Sequence, residues 1–341
     1  MFRRKTMVMQ LSLNWQCNLR CKQCHIWMAG ETTDKYFGPE QEQAVVKFAE
    51  YCHANGRSGL ISLSGGEPLL NLDDVLNLAN MCRRLRLQLS MTTNGTLVTE
   101  ETAASLRERG PDHITVSIDS ADHEIHDYIR GRSGTLEKAA NALRLLSIRP
   151  RDRLKYRPMI VNAQSILMKR TVPGLYKTIE LARSCGAQSF FFQPLMPTFD
   201  RHGDSDPFYE QERFSTDEER KQAFDTVTNT LIWASKNFPH FVGHTNQDIQ
   251  ALFAYLMGIK PDVPVCNSHE KNVILSKTGE VELCFHMKEK ITDGQPLPGN
   301  LFTDNLQSIM TSEFAANTVE KMSKCQESCG LLGCHRRTLI D

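Results

Sequence analysis

The most constraining feature of this 341-residue chain is a rhythm in its apolar residues. From residue 8 to residue 194, short apolar runs alternate with longer amphipathic stretches. The strand-like runs are Val8–Asn14, Leu60–Ser64, Leu87–Thr93, His113–Asp119, Met159–Leu167 and Ser189–Gln193. Helix-like segments between them cover Gln41–Asn55, Leu72–Arg84, Glu100–Arg109, Leu136–Ile148 and Gly174–Cys185. Thr99, followed by Glu100 and Glu101, predicts a capped helix start. Strands separated by helices read as βα units around a parallel sheet. Six of them predict an α/β fold, a partial (β/α)6 TIM-like barrel, short of the eight strands that close a full one. Chemistry in such barrels sits at the C-terminal ends of the strands.

The rhythm breaks over residues 197–222. The stretch from Pro197 to Pro207 is polar and rich in turn formers, so it reads as a loop. Asp217 is the expected cap of a helix running to about Phe238. Pro261 and Pro264 mark a joint. Beyond it, Val273–Ser276 and Val281–Cys284 flank Lys277-Thr278-Gly279-Glu280, a β-hairpin pattern with glycine in the turn. A single helix is expected near Leu306–Met322. Internal repeats and low-complexity tracts are absent from the sequence.

Forty basic residues balance 40 acidic ones, so no long-range field favours nucleic acid or an anionic membrane. No apolar run approaches the roughly 20 residues of a membrane span. The basic start Met1-Phe2-Arg3-Arg4-Lys5 leads into strand-like sequence and not into an apolar export signal. A cytoplasmic location is the expectation. In that setting 11 cysteines point to metal ligands or catalysis before disulfides. Cys17, Cys21 and Cys24 cluster near one end. Cys266, Cys284, Cys325, Cys329 and Cys334 cluster near the other. Cys52, Cys82 and Cys185 fall in helix-like sequence and read as buried, inert thiols.

Cys17-Asn18-Leu19-Arg20-Cys21-Lys22-Gln23-Cys24 has the spacing C-x3-C-x2-C directly after a strand. Thiolates on a short loop suit an iron–sulfur cluster, and three ligands on a cubane leave one iron open. A zinc site is the alternative. Zinc normally takes four ligands, and His25, adjacent to Cys24, is poorly placed to share its metal.

The triplet resembles the signature of the radical S-adenosylmethionine (SAM) superfamily. Four further stretches are similar to motifs of that family, in the same order. Gly65-Gly66-Glu67-Pro68 follows the second strand and resembles the motif that binds the SAM amino group. Thr92-Thr93-Asn94-Gly95 follows the third. Ser117-Ile118-Asp119-Ser120 ends the fourth, where the family often contacts ribose hydroxyls. Arg130, before Gly131, corresponds to a partner for the SAM carboxylate. The resemblance implies a [4Fe–4S] cluster on Cys17, Cys21 and Cys24, SAM chelated to its open iron, and reductive cleavage of SAM to a 5′-deoxyadenosyl radical that abstracts a hydrogen atom. One departure stands out: many members have an aromatic residue just before the third cysteine, packing near adenine, and here that residue is Gln23. Trp15 and Trp27 lie nearby.

Cys266, 12 residues, Gly279, four residues and Cys284 resemble the opening of the SPASM and Twitch extensions found in part of the superfamily. Gly299-Asn300 and the following helix match the same course. The tail reads Cys325-x3-Cys329-x4-Cys334. A full SPASM domain has about seven cysteines and two auxiliary clusters. Five cysteines fit the single-cluster Twitch form better. The resemblance thus implies a barrel over residues 1–240 and a small C-terminal α+β auxiliary-cluster domain over residues 241–341. Its one auxiliary [4Fe–4S] cluster would be held by Cys266, Cys284 and two of Cys325, Cys329 and Cys334. Four thiolates suit zinc as well, so a zinc knuckle is the alternative.

A substrate radical that is oxidised must also lose a proton, so a base is expected. His286, just past Cys284, and Asp200, His202 and Asp204, on the loop after the sixth strand, are the candidates. The function expected is a radical SAM oxidoreductase that oxidises or cross-links a peptide or small molecule. Its electron donor would be a protein such as flavodoxin or ferredoxin. The alternative is a redox-neutral epimerase or isomerase acting on a small molecule such as a sugar or aminocyclitol. The first strand begins near Val8 and leaves no room before it for a leader-binding domain, which favours a small molecule or a peptide delivered by another protein.

Overall fold

A computed structural model of the chain describes residues 5–24, 26–27, 37–148, 158–197, 206–260, 266–327 and 329–332. Asp200, His202, Asp204, His25, Pro261, Pro264 and Cys334 lie outside the described residues.

Six strands follow the sequence rhythm: β1 (Thr6–Ser12), β2 (Ser58–Ser64), β3 (Gln88–Thr93), β4 (His113–Ser117), β5 (Ile160–Leu167) and β6 (Ser189–Pro194). Each pairs in parallel with the next, in register from Val8 opposite Leu60 to Gln164 opposite Phe191. Parallel neighbours need crossovers, and helices supply them. These are α1 (Pro39–Ala54), α2 (Leu72–Arg84), α3 (Glu100–Arg109), α4 (His123–Arg130), α5 (Thr135–Ser147) and α6 (Leu175–Ser184). Because all six strands run the same way, their C-terminal ends emerge on one rim. The result is a partial barrel with flanking helices.

Further along lie α7 (Pro207–Glu212), α8 (Asp217–Asn237) and α9 (Asn246–Met257). The C-terminal α+β part contains α10 (Ser268–Lys271), β7 (Asn272–Leu275), β8 (Val281–Glu282), α11 (Met287–Lys290), α12 (Leu306–Met310) and α13 (Glu313–Ser323). The expected hairpin is present, with Gly279 in the left-handed region at φ 88°. It joins the barrel sheet: β7 runs parallel to β1 with Val273 opposite Met9, giving the order β6-β5-β4-β3-β2-β1-β7-β8. β1 is therefore interior, and Met7, Met9, Leu11 and Leu13 are all buried.

Several helix ends differ from the expectation. Thr99 does cap α3, accepting from the Thr102 amide at 3.2 Å. The cap of α8 is Thr216 and not Asp217. Its hydroxyl accepts from the Glu219 amide at 3.2 Å, and the Glu219 carboxylate accepts from the Thr216 amide at 3.2 Å. That reciprocal Thr-x-x-Glu pair leaves Asp217 in the first turn, where its charge suits the helix dipole. The expected helix over Leu306–Met322 is two, because the Ser312 hydroxyl accepts from the Ala315 amide and starts α13 afresh. The helix α7 begins where the stretch that reads as loop ends, in sequence given no element above; Asp206 caps it through the Phe208 and Tyr209 amides.

One continuous core joins sheet and helices, and Phe48 of α1 is fully buried in it. Phe48→Ala is expected to cost about 3–5 kcal/mol of stability, from lost burial plus the cavity left behind. Urea unfolding should show a lower midpoint, while a shift below about 1 kcal/mol would mean that the α1 side of the core is not packed as described.

Candidate active site

The loop after β1 carries the three N-terminal cysteines, and its neighbours hold it by backbone contact. The Gly66 amide donates to the Asn14 carbonyl at 2.9 Å and the Glu67 amide to the Gln16 carbonyl at 2.7 Å. A β-carbon on Gly66 would lie 1.7 Å from the Gln16 carbonyl oxygen, so no side chain is possible there. On the other flank the Lys22 amide donates to the Ile129 carbonyl at 2.8 Å. Gly131, in the left-handed region at φ 70°, ends α4 so close to the loop that a β-carbon would lie 2.3 Å from the Arg20 carbonyl oxygen. A third hold is made of side chains. Asn94 donates to Asn18 at 2.9 Å, and Asn18 donates to Thr96 at 2.8 Å.

These contacts shape a cavity of about 340 Å³ at the C-terminal rim of the barrel. Its polar wall includes Cys17, Cys21 and Cys24, Gly65 to Glu67, Thr93, Asn94, Ser117 and Arg130. Its opposite wall is Ile166, Gln193 to Pro197 and Leu331, apolar apart from Gln193. Residues predicted from four strand ends thus meet in one place, whereas Pro68 and Asp119 do not line the cavity. Gln23 also lines the cavity, and its buried carbonyl oxygen has no hydrogen-bond partner among the described residues.

Two buried carboxylates brace the site through contacts that the motifs alone do not show. Glu67 is buried, and its carboxylate accepts from Thr93 Oγ1 at 2.7 Å, the Asn94 amide at 2.8 Å and the Leu69 amide at 3.1 Å. It ties the loop after β2 to the loop after β3. Burial pushes its pKa up, against the pull of those donors and of Arg130. Asp119 is also buried. It pairs with Arg130 at 2.8 Å and accepts from the Ile166 amide at 3.2 Å, behind the cavity wall that Arg130 itself lines. Burial disfavours the Arg130 charge, but Asp119 and the nearby Cys21 sulfur, 4.0 Å away, hold its pKa above the ordinary value. Pro68 opens the short turn of helix after Glu67 and is buried.

His126 supports the same corner, a role nothing in the sequence analysis assigned. It is 1% exposed, and Nδ1 accepts from the Asp119 amide at 3.1 Å, which leaves the ring proton on Nε2. Burial, then the Arg130 charge, push its pKa down to about 4. Trp27 donates to the Cys21 carbonyl at 2.9 Å, and neither tryptophan lines the cavity.

Burial also raises the pKa values of Cys17, Cys24 and Cys21, the last to about 11. A metal would have to displace these protons. The donor set suits that exchange. Cys17 accepts from the Leu19 amide at 3.4 Å, and Cys24 accepts from the amides of Ile26 and Trp27. Amide donors on sulfur stabilise thiolates and tune clusters. Among the described residues, no three His, Cys, Asp or Glu side chains converge on a single metal ion. All three thiols line the same cavity, a donor set of the kind that ligates iron–sulfur clusters.

The C-terminal cysteines repeat the pattern. Cys266 accepts from the Ser268 amide at 3.4 Å, Cys284 from the His286 amide at 3.3 Å and Cys329 from the Leu331 amide at 3.5 Å. Cys329, pushed up to about 11 by burial, also senses Cys266 and Cys325. His286 sits here beside Glu289, 3.5 Å away, and does not line the cavity. Cys52 and Cys82 are buried, with pKa values pushed up to about 12, and Cys185 is buried too.

Comparison with known proteins agrees with this geometry. Residues 16–164 match the Radical SAM superfamily. The AdoMet-dependent heme synthase of Methanosarcina barkeri is 33% identical over 182 residues, 53% of this chain and 48% of that protein. The chain spans about half the length of such curated relatives. Among solved structures, native anSMEcpe with bound AdoMet and Cp18Cys peptide superposes with a TM-score of 0.67 at 18% identity, covering 97% of this chain and 88% of that one. SuiB of Streptococcus suis bound to S-adenosylmethionine gives 0.67 at 12% identity, covering 96% of this chain and 73% of that one. The likeness of fold therefore extends through the C-terminal part.

Glu67→Gln turns one accepting oxygen into a donor that faces other donors. It is expected to cost about 1–3 kcal/mol, read as a lower urea midpoint at unchanged slope; an unchanged midpoint would contradict the brace. For His126 the folded pKa, about 4, lies below its ordinary value of 6.5. The unfolded chain therefore takes the proton first as pH falls. Stability present above pH 6.5 is lost progressively down to about pH 4, by a total on the order of 3 kcal/mol. The free energy of unfolding across that range should fall more steeply with decreasing pH for the wild type than for His126→Gln, and parallel curves would contradict the assignment.

Proposed function

We propose that this chain, whose residues 16–164 match the Radical SAM superfamily, cleaves SAM on a [4Fe–4S] cluster held by Cys17, Cys21 and Cys24. The observation that carries this reading is the meeting of three thiols, Cys17 and Cys24 with amide donors and Cys21 beside Arg130, with Gly65, Gly66 and Ser117 around one cavity. Such a cluster, when bound, supplies one electron that splits SAM into methionine and a 5′-deoxyadenosyl radical, which takes a hydrogen atom from substrate.

The chain's own residues divide the remaining work. Gly65 and Gly66 bring backbone close enough to meet the SAM amino group, and Glu67 is their brace. Arg130, aimed by Asp119, offers its remaining guanidinium donors to the SAM carboxylate. Ser117 is the candidate for a ribose hydroxyl, with Asp119 acting through Arg130. Thr93 and Asn94 position the cysteine loop. The apolar wall excludes water from the reacting atoms.

Cys266, Cys284, Cys325 and Cys329 are the proposed ligands of one auxiliary cluster, with Cys334 the spare. Amide donors at three of the four sulfurs support this choice. The reaction we favour is oxidation of a substrate that, after losing a hydrogen atom, would give its second electron to the cluster on these cysteines and its proton to a base, for which Asp200 is the sequence candidate. A relative of the same fold is known with a bound peptide, and a peptide is the substrate class proposed here. His286, away from the cavity, is better suited to supporting the auxiliary site than to serving as the base. A flavodoxin- or ferredoxin-like protein would supply the first electron.

Anaerobically reconstituted protein, given SAM and dithionite, should release 5′-deoxyadenosine. The Cys17→Ala, Cys21→Ala, Cys24→Ala triple variant should release none. Equal nucleoside from both would overturn the assignment, as would a wild type that takes up zinc and no iron.

A further inference from the structure

Among the described residues, a short C-terminal segment joins the cysteine Cys329 to the cavity. Leu331 lines the cavity, and its amide donates to Cys329 Sγ at 3.5 Å. Between them, Gly330 is pressed onto the apolar wall: a β-carbon there would lie 2.8 Å from Met196 Cγ, 2.9 Å from Met196 Sδ and 3.1 Å from Pro194 Cγ. Met196 and Pro194 also line the cavity. Leu332 is buried and its amide donates to the Gly330 carbonyl at 2.9 Å, closing the turn. Tyr255 fixes the wall from behind, its hydroxyl donating to the Leu195 carbonyl at 2.9 Å. The same side chain lies within electrostatic reach of Cys329.

Neighbouring residues therefore do two jobs. The Leu331 side chain meets whatever fills the cavity, while the Leu331 amide holds the sulfur of a proposed cluster ligand. An amide donor on a ligand sulfur stabilises the more negative, reduced cluster and raises its potential. Anything that moves Leu331 changes that hydrogen bond. Gly330 keeps the segment seated, since any larger residue must lift it from Met196.

We propose that Leu331 is a positioning residue that couples occupancy of the cavity to the reduction potential of the auxiliary cluster through its amide bond to Cys329. This rests on the reading of the C-terminal cysteines as cluster ligands. It assigns the coupling to Cys329 and not to Cys266, Cys284 or Cys325. Binding in the cavity then adjusts how readily the auxiliary centre accepts an electron from substrate.

Redox titration of the reconstituted holoenzyme, followed by electron paramagnetic resonance with and without SAM, tests it. In the wild type the potential of the auxiliary cluster should shift when SAM is added. Leu331→Ala keeps the amide and removes the wall contact, so the potential without SAM should match the wild type and the shift should vanish. Leu331→Pro removes the donor and should lower the potential without SAM. Gly330→Ala should also lose the shift, and it serves if the proline variant fails to fold. An auxiliary potential indifferent to SAM, or a shift that survives Leu331→Ala, would overturn the coupling. If the wild type assembles only the N-terminal cluster, by iron content and spectrum, the reading of the C-terminal cysteines itself falls.

Discussion

Everything at the rim depends on how closely backbone approaches backbone around the cysteine loop. Gly66 lies on one side and Gly131 on the other, each where a single added carbon would strike a carbonyl oxygen of residues 16 or 20. The loop is thereby set from both flanks before any side chain is considered. Glu67 then joins the second strand end to the third, and Asp119 with Arg130 joins the fourth to the first. Each brace is buried, where an unmatched charge or donor is costly, so the alternatives to this geometry are poor. Supporting contacts of this kind hold reacting groups in place without rearrangement.

The cavity is divided by chemistry as well as by position. Strand ends β1 to β4 supply thiols, hydroxyls, amides and a guanidinium. Strand ends β5 and β6 with the C-terminal segment supply Ile166, Leu195, Met196 and Leu331. An amino-acid end of a ligand is matched on the first side. The second side is suited to shielding a reactive carbon centre from water. The parallel sheet makes this division possible, since it delivers six different loops to one rim.

Much of this was legible in the sequence because it is local. Short apolar runs located all six barrel strands, and the C-x3-C-x2-C spacing located the thiols. The glycine pair was readable as a place of close approach, although the partner backbone was not. What escaped was long-range. Asp119 and Arg130 are 11 positions apart, and Arg130 ends α4, a helix that Asp122 caps and that the apolar rhythm does not mark. Nothing near Glu67 announces that its acceptors are taken by residues 93 and 94. His126 reads as one more polar residue of a short amphipathic stretch, and only the fold brings its ring to the Asp119 amide. Leu331, in a cysteine-rich tail without periodicity, carries no signal that it faces the cavity. The cap of α8 was misplaced by one residue because Asp217 and Thr216 are both good caps, and only the reciprocal bond from Glu219 decides between them.

The most direct test of the central claim is electron–nuclear double resonance on the reduced, reconstituted enzyme with SAM carrying nitrogen-15 at its amino group. The account predicts a hyperfine coupling between that nitrogen and the N-terminal cluster, lost when Cys17, Cys21 and Cys24 are replaced by Ala. A reduced N-terminal cluster with SAM bound and no coupling to its amino nitrogen would mean that the three thiols do not present an open iron to the cavity, and the account would fail at its base.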